Sequence, residues 1–417
     1  MRQKVLKFIY QIFAIFARLY LRRTKPEIIG ITGSVGKTSC RMIVSQTLEK
    51  FLTDKKIYSS PKNYNSEIGI VCSIFGEENY KPNPFFLLFF FFKVFFLSIF
   101  GGKKYDILVL EYGVDKPNDM DFLISIARPD ISIFTKLDFI HVANFRDQEE
   151  LGLEKSKLIF AAKKVVYLNK DDLFQTSIFS EVDIEKYFYN EGNPYFDYIF
   201  KDSKIFSNLQ FNGQNVKTNL LGEENLIYLE LALKILEKFG FDFSTFEEEI
   251  LINFELQNGR FRVFNGIFDS ILIDSSYNSG PESMKAMIKN AVKIKKDIFP
   301  DYKNLFVLGD MREIGDNSSE KHKELFEFAS KYGEIISVGK ETLENFGKHI
   351  GNFKYSRQAG KILKSYLEEN KDEKFVILFK GSQNTIFLEE AIKEVLKNKD
   401  DEKYLVRQEK YWKKEDF

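Results

Sequence analysis

The segment from Glu27 to Ser39 combines a hydrophobic strand, a glycine-rich turn and the start of a helix. It reads E-I-I-G-I-T-G-S-V-G-K-T-S, so that Gly36-Lys37-Thr38 opens the helix. The backbone N–H groups of such a turn, together with the helix N-terminus, bind phosphate. Lys37 can then reach the outer phosphates of a nucleotide, and the Thr38 hydroxyl can bind Mg²⁺. The alternative is a chance turn, because Ile31 stands where the strict motif has its first glycine.

Three further residues are candidates for metal binding or catalysis. Glu111 ends a hydrophobic run, where a carboxylate would face the ligand-binding edge of a parallel sheet. His141 follows the next predicted strand, where a neutral imidazole can bind a metal ion. Lys155 lies in a predicted helix among charged neighbours. From position alone, each of the three has a plainer alternative as a solvent-exposed or packing residue.

Alternating strands and helices must position these residues. The alternation predicts an α/β fold with a mostly parallel sheet and helices on both faces. The predicted strands are 28–32, 106–111, 131–135 and 165–168, and the predicted helices are 37–51, 119–127, 149–162 and 223–239. Residues 187–220 are rich in Phe, Tyr, Asn and Gly, and we expect antiparallel strands there.

A second α/β unit begins near Gly259. Its predicted strands are 267–274, 305–308, 335–338 and 375–379, and its predicted helices are 281–296, 318–331 and 384–397. We therefore expect an apolar N-terminal helix over 1–25, a phosphate-loop domain over 26–257 with an apolar insertion at 80–103, and a Rossmann-like C-terminal domain over 258–417. The segment 253–260 is the predicted hinge.

Composition excludes several classes of protein. The 417 residues include 61 basic and 61 acidic side chains, whereas a general nucleic-acid binder shows a basic excess. Two cysteines and three histidines are too few for a disulfide framework and make a structural zinc site improbable. A reducing, cytoplasmic location is the simplest expectation.

Two segments are strongly apolar, Val5–Leu21 and Phe85–Phe100. A helix over either one would be about 24–26 Å long, which is marginal for a bilayer core of about 30 Å. Lys37 and Glu111 lie on either side of the second segment and must share one site. The second segment therefore cannot be a single membrane crossing, because the two residues would then lie on opposite sides of the bilayer. We expect both segments to lie on a membrane surface. A short membrane anchor also fits Val5–Leu21, and the alternative for Phe85–Phe100 is a buried core helix.

The phosphate loop T-G-S-V-G-K-T-S resembles that of the Mur ligases, ATP-dependent enzymes that build the peptide of peptidoglycan. Further matches follow in family order: N-Y-N-S-E-I-G at 63–69, L-E-Y-G at 110–113, A-R-P-D-I-S-I-F-T-K-L-D-F-I-H at 127–141, E-K-S-K-L-I at 154–159, G-E-E-N at 222–225, Gly259-Arg260, I-D-S-S-Y-N-S-G-P at 273–281, L-G-D-M-R-E-I-G at 308–315, His322 and K-G-S at 380–382. The last three resemble the branch that adds D-alanyl-D-alanine to a muramoyl tripeptide.

The resemblance implies a mechanism in which ATP phosphorylates a carboxylate and an amine attacks the acyl phosphate. It implies ATP and Mg²⁺ as cofactors, with Thr38, Glu111, His141 and a carbamylated Lys155 as metal ligands. Lys157 is the rival for carbamylation, but Lys155 fits the family register better. The remaining nucleotide-binding residues that it implies are Gly33, Ser34, Val35, Gly36, Lys37 and Ser39 in the loop, and Asn225, Arg260 and Asp274 further along.

Several departures from the family pattern leave the substrate open. Lys136, Asp138, Glu224 and Ser66 replace the family's usual residues near nucleotide and substrate. Only about 29 residues precede the loop, too few for a domain that grips the UDP end of a substrate. The predicted partners are a muramoyl-peptide carboxylate and a dipeptide or amino-acid amine at the inner membrane face. The alternatives are a glutamate-adding ligase with another acceptor, or a membrane-docked ATP-binding scaffold without ligation.

Overall fold

The computed structural model describes residues 2–408, except 61–63, 81–82, 138–144, 181–182, 192–193, 203, 246–248, 256, 313 and 383–385. The chain divides into two compact units, each assembled from separate stretches of sequence. The first unit comprises residues 1–194, 210–214 and 224–252, and the second comprises 195–209, 215–223 and 253–417.

The first unit is built on a parallel sheet. Over the described residues the sheet has six strands, in the order β2-β3-β1-β4-β5-β6, and each neighbouring pair is parallel. The strands are β1 Glu27–Thr32, β2 Ile57–Ser59, β3 Ile107–Glu111, β4 Ile131–Phe134, β5 Val165–Asn169 and β6 Glu185–Tyr189. Because Ile31 of β1 is in register with Glu111 of β3, the phosphate loop and the Glu111 carboxylate lie at the same edge.

Helices cover this sheet, and some of them begin at a capping side chain. The helices are α1 Arg2–Thr24, α2 Lys37–Phe51, α3 Glu67–Phe75, α4 Pro84–Phe100, α5 Asp119–Ile126, α6 Gln148–Phe160, α7 Leu173–Ile178 and α8 Glu223–Lys238. The Asp147 carboxylate accepts a hydrogen bond of 2.8 Å from the Glu150 N–H and so begins α6. Likewise, the Asn83 side chain accepts one of 2.8 Å from the Phe86 N–H and begins α4.

Helices α1 and α4 pack against each other on the first unit. The Phe13 ring of α1 meets the Phe90 ring of α4 edge-on, with centroids 5.2 Å apart. At their carboxyl ends, Arg23 of α1 donates to the Leu97 and Ser98 carbonyl oxygens of α4, at 2.9 and 3.1 Å. The two helices therefore run parallel. No helix among the described residues is long and apolar enough to cross a membrane.

The second unit begins with an antiparallel hairpin. Strand β7 Phe196–Lys201 pairs with β8 Lys204–Phe211, and β9 Gln214–Thr218 follows in the same sheet. Tyr198 and Leu221 from this region pack in one core cluster with Phe261 and Met284. The hairpin is thus part of the second unit's core. A short strand, β10 Ile250–Ile252, ends the first unit.

The second unit also contains a larger, mostly parallel sheet. The described part has six strands, in the order β11-β12-β16-β13-β14-β15, with only β11 antiparallel to its neighbour. The strands are β11 Arg262–Asn265, β12 Ile271–Asp274, β13 Lys303–Gly309, β14 Glu334–Val338, β15 Gly351–Phe353 and β16 Phe375–Lys380. The helices are α9 Pro281–Ile298, α10 Ser318–Ala329, α11 Lys340–Asn345, α12 Ser356–Glu369 and α13 Glu389–Val395.

The predicted α/β class is confirmed, and two local predictions are corrected. The antiparallel region does not start at Tyr187, because β6 pairs in parallel with β5 and completes the first sheet. The predicted strand 267–274 is a 3₁₀ turn at Ile267–Asp269 followed by β12. Phe268 has a φ of 51°, which a β-strand does not accommodate.

Candidate nucleotide and metal site

The phosphate loop depends on two glycines with positive φ. Gly33 has a φ of 144° and Gly36 a φ of 82°, conformations that favour glycine. Space is also limited, because a Cβ at Gly36 would lie 1.8 Å from the Tyr228 hydroxyl oxygen of α8. At Gly33 a Cβ would lie 2.0 Å from Oγ1 of Thr135. Both glycines are therefore required by backbone conformation and by close packing.

Hydrogen bonds to neighbouring elements fix the loop. The Ser34 N–H donates to the Lys136 carbonyl oxygen at 2.8 Å, and the Thr135 hydroxyl donates to the Val35 carbonyl oxygen at 2.6 Å. Lys37 folds back over the loop, with Nζ 2.7 Å from the Gly33 carbonyl oxygen and 3.0 Å from that of Ser34. The lysine charge is thus held at the centre of the loop, where phosphate would bind.

The start of α2 meets the end of β3. Oγ1 of Thr38 lies 3.2 Å from Oε2 and 3.4 Å from Oε1 of Glu111, and both side chains are buried. Arg41, one turn further along α2, approaches Oε2 of Glu111 through Nε at 3.4 Å. Nδ2 of Asn65 lies 3.5 Å from Oε1. Glu111 is therefore surrounded by donors at the same edge of the sheet as the loop.

These oxygens fit a magnesium ion. Mg²⁺ prefers oxygen ligands at about 2.1 Å in octahedral geometry, so neighbouring ligand oxygens lie about 3 Å apart. The Thr38 hydroxyl and the Glu111 carboxylate have nearly that separation, 3.2 Å. Among the described residues, no group of three or more His, Cys, Asp or Glu forms a metal cluster. His141, the predicted imidazole ligand, lies outside the described residues.

Lys155 and Lys157 have very different surroundings although both belong to α6. Lys155 is buried, and its pKa is well below the usual range, first because of burial and second because of the nearby Lys37 charge. Lys157 forms ion pairs with Asp121 at 2.6 Å and with Glu154 at 2.7 Å. The pKa of Lys155 therefore responds to the Lys37 charge of the phosphate loop, whereas Lys157 pairs with two carboxylates.

The other predicted nucleotide residues belong to both units. Ser39 is in the first turn of α2. Asn225 is in the first turn of α8, three residues before Tyr228, whose hydroxyl lies against Gly36. In the second unit, the Arg260 guanidinium stacks over the Tyr277 ring at 4.3 Å, and Asp274 ends β12.

Asp274 lies in a buried polar cluster of the second unit. Its Oδ1 accepts hydrogen bonds from the Ser276 hydroxyl at 2.6 Å and the Ser276 N–H at 3.0 Å. Its Oδ2 is buried and has no hydrogen-bond partner among the described residues. Nearby, Nε of Arg407 donates to Glu389 at 2.6 Å. Burial raises the pKa of Asp274 to about 6, although the two Ser276 hydrogen bonds act in the opposite direction.

We expect the Asp274→Asn substitution to stabilise the second unit more at pH 8 than at pH 4.5. Because the pKa of Asp274 is raised to about 6 in the fold, the folded state binds the proton more tightly than the unfolded chain. Stability therefore falls as the pH rises through the range from the unfolded to the folded pKa, by roughly 3 kcal/mol. Asn resembles the protonated acid and removes this loss. Thermal midpoints at both pH values measure it, with the exposed Asp269→Asn as control. An equal shift at both pH values would contradict the assignment.

The structure adds site residues that the sequence reasoning missed. Arg41, Asn65, Thr135 and Tyr228 all contact the loop or Glu111. Arg41 could have been found, because it lies three residues after Thr38 on the same face of a predicted helix. Tyr228 could not, because only the packing of α8 brings it to Gly36.

Comparison with known proteins finds one matching family model and several similar enzymes. The profile of the Mur ligase middle domain matches residues 31–235. UDP-N-acetylmuramoyl-tripeptide–D-alanyl-D-alanine ligase from Borreliella burgdorferi is 27% identical over 79% of this chain and 65% of its own length. The enzyme of the same name from Bacillus subtilis is 24% identical over 92% of this chain and 78% of its own.

A solved structure shares the fold of most of the chain. The MurF ligase from Thermotoga maritima in complex with ADP superposes with a TM-score of 0.70. The match covers 92% of this chain and 83% of that one, at 21% identity. The chain thus spans about two thirds to four fifths of the length of these three proteins.

Proposed function

Because the chain belongs to the Mur ligase family through its middle domain, we propose that it is an ATP-dependent ligase that joins a carboxylate to an amine. The named relatives act in the addition of D-alanyl-D-alanine to a muramoyl tripeptide. We assign the same reaction to this chain: the tripeptide carboxylate is the acceptor, and the dipeptide amine is the nucleophile. The products are an amide, ADP and phosphate.

One observation carries this proposal. Lys37, Thr38 and Glu111 meet at one edge of the parallel sheet, inside the matched domain. Ligands bind at this edge in parallel α/β sheets, where loops follow the carboxyl ends of the strands. A phosphate-binding loop next to buried oxygen ligands fits a nucleoside triphosphate with bound Mg²⁺.

The residues of this edge have distinct tasks in the proposed reaction. The acceptor carboxylate and the γ-phosphate are both anions, so their approach needs positive charge. Lys37 supplies this charge from the centre of the loop, and the N–H groups at the start of α2 hold the phosphate oxygens. Mg²⁺, held by Thr38 and Glu111, would neutralise phosphate charge. Arg41 orients the Glu111 carboxylate.

Lys155 is proposed to carry a carbamate. Attack on CO₂ requires the neutral amine, and the lowered pKa of Lys155 increases the neutral fraction relative to an exposed lysine. The nitrogen forms a bond to carbon and loses a proton, which turns a group that would repel a cation into an anion. A carbamate at this buried position would hold a second Mg²⁺ together with His141.

In the second unit, Arg260 and Asp274 are proposed to contact ATP. Arg260 is held over Tyr277 by stacking, which limits the rotamers available to its side chain. Asp274 has one buried carboxylate oxygen without a partner among the described residues, and such an atom favours a ligand donor.

Stoichiometric product analysis tests the ligase function. With ATP, Mg²⁺, UDP-linked muramoyl tripeptide and D-alanyl-D-alanine, we expect ADP and amide to form in equal amounts. With hydroxylamine in place of the dipeptide, we expect a hydroxamate, which reports the acyl phosphate. ADP release without amide or hydroxamate would contradict the proposal. Glutamate with the same or a non-UDP acceptor serves as the comparison pair for the alternative ligase reaction.

A further inference from the structure

Helices α1 and α4 present a continuous apolar surface to solvent, which we call the apolar platform. On α4 it consists of Phe85, Phe89, Phe92 and Phe96, and on α1 of Ile15 and Leu19. Beyond the ligase activity, we propose that the apolar platform docks the protein on the surface of an anionic lipid bilayer.

The spacing of the phenylalanines makes α4 two-faced. Residues 85, 89, 92 and 96 recur at intervals of four, three and four, so they lie on one helix face. The opposite face, with Phe90, Val94 and Ser98, is fully buried in the first unit. Packing therefore fixes the rotation of α4, and its exposed face is a consequence of the fold.

The two helices form one surface because they touch along their length. The Phe16 ring of α1 lies edge-on to Phe91 and to Phe95 of α4, each with centroids 5.6 Å apart. This row of rings lies between the exposed stripes. The six platform residues expose on the order of 700 Å² of apolar side-chain surface. This area equals or exceeds that of the largest apolar patch that a monomeric protein usually exposes. Phe85 alone is 87% exposed.

The distribution of charge around the apolar platform favours an anionic lipid bilayer as its binding partner. Residues 1–25 contain seven basic residues and no acidic one, although the whole chain has a formal net charge of zero. Arg18 and Arg22 lie on α1, and Lys103 and Lys104 follow the end of α4. A second copy facing the platform would bring these cations against each other. An anionic bilayer offers apolar chains to the phenylalanines and phosphate groups to the basic rim.

The length of α4 favours binding parallel to the plane of the bilayer over crossing it. Helix α4 has 17 residues, about 26 Å, and one of its faces is already packed on protein. Such a helix inserts its exposed rings at the depth of the headgroups and the first acyl carbons. Lys93 pairs with Glu77 at 2.8 Å on the protein side and does not interrupt the platform.

Vesicle flotation of the full chain tests this inference. We expect the protein to float with vesicles of phosphatidylcholine and 30% phosphatidylglycerol, and much less with phosphatidylcholine alone. Raising the salt concentration should lower binding to the anionic vesicles, because each basic residue contributes roughly fivefold to the affinity at low salt.

Two variants separate the apolar and the charged contributions. Phe92→Gln with Phe96→Gln should lower vesicle affinity at least about tenfold, because two exposed rings no longer enter lipid. Arg18→Gln with Arg22→Gln should lower it by a similar factor and reduce the salt dependence. The matched control is Leu173→Gln with Leu251→Gln, two exposed apolar residues of the same unit outside the platform. The control should bind like the parent.

Three results would overturn the proposal. The first is a parent protein that fails to float with anionic vesicles. The second is a Phe92/Phe96 variant that keeps its thermal midpoint and its ATP binding but floats like the parent. The third is a parent protein that sediments as a dimer and does not bind vesicles, together with a Phe92/Phe96 variant that sediments as a monomer. That result would make the apolar platform an interface between two copies of the chain. These readouts do not depend on ligation, so a failed ligase assay leaves them interpretable.

Discussion

The Lys37→Ala variant is expected to lose ATP turnover by about three orders of magnitude, since a cation aimed at the transferring phosphoryl group acts mainly on the transition state. Lys37 reaches the loop carbonyl oxygens of Gly33 and Ser34 at 2.7 and 3.0 Å, so its ammonium lies where the phosphates would bind. The fold should persist, because Lys37 contributes no side chain to a hydrophobic core. ADP release under saturating ATP, with a thermal melt as folding check, measures the effect.

Lys164→Ala is the matched control for this variant. Lys164 lies at the opposite end of β1, where Nζ pairs with Glu27 at 2.8 Å on the surface. An exposed pair contributes at most about 1 kcal/mol to stability, so turnover should match the parent. A folded Lys37→Ala protein that still makes ADP at the parental rate would remove the phosphate loop from the catalytic site.

The second large effect is expected for Lys155→Ala, with a loss of at least about a hundredfold in ligation. The charge argument is that a metal ion bound near Lys37 and Glu111 needs an additional anion, which a carbamate supplies and an alanine does not. Removal of CO₂ from the buffer should likewise lower the ligation activity of the parent protein. Added formate or acetate should restore part of the activity of the variant, because a small carboxylate can enter the space left by the side chain.

Two control variants isolate the role of Lys155. Lys157→Ala on the same helix removes the ion pairs to the exposed Asp121 and the buried Glu154 and should keep nearly full activity. Lys155→Met fills the buried space without an amine and tests packing separately from charge. Carbon-13 NMR of protein under labelled CO₂ should show a carbamate signal in the parent and in Lys157→Ala only. A signal that persists in Lys155→Met, or its absence from an active parent, would contradict the assignment.

Elements with strong hydrophobic periodicity were predictable from the sequence. Helix α2 begins at Lys37 and ends at Phe51, as predicted, because the glycine turn fixes its start. Strands β1, β3, β4 and β5 lie within two residues of their predicted ends. Each is a continuous apolar run, which is typical of strands covered by helices on both faces.

Short and edge elements were not predictable, for a physical reason. Strands β11 and β15 have four and three residues and lie at opposite edges of their sheet, where half the pairing that defines a strand is missing.

Helix α12 is amphipathic but contains Gly360, which approaches Ala391 of α13 closely. A glycine weakens the helical signal in the sequence, although here it permits two helices to pack.

The candidate site was predictable where one local segment carries it. The loop glycines, Lys37 and Thr38 follow from a single strand–turn–helix pattern, and the structure brings Glu111 to them through the parallel pairing of β1 and β3. The roles of Lys155 and Asn225 came only from family resemblance, because a lysine among charges and an asparagine on a helix have no distinctive pattern. Arg41 and Tyr228 depend on tertiary packing, which periodicity does not report.

The chain passes between the two compact units five times, after residues 194, 209, 214, 223 and 252. A gene fusion or exchange with a single crossover near residue 253 would therefore not transfer the second unit whole. It would leave the β7–β8 hairpin behind and strip Tyr198 and Leu221 from the core that they share with Phe261 and Met284. Recombination with a related enzyme should succeed only when the donor supplies both parts of that core, so the two units are expected to be inherited together.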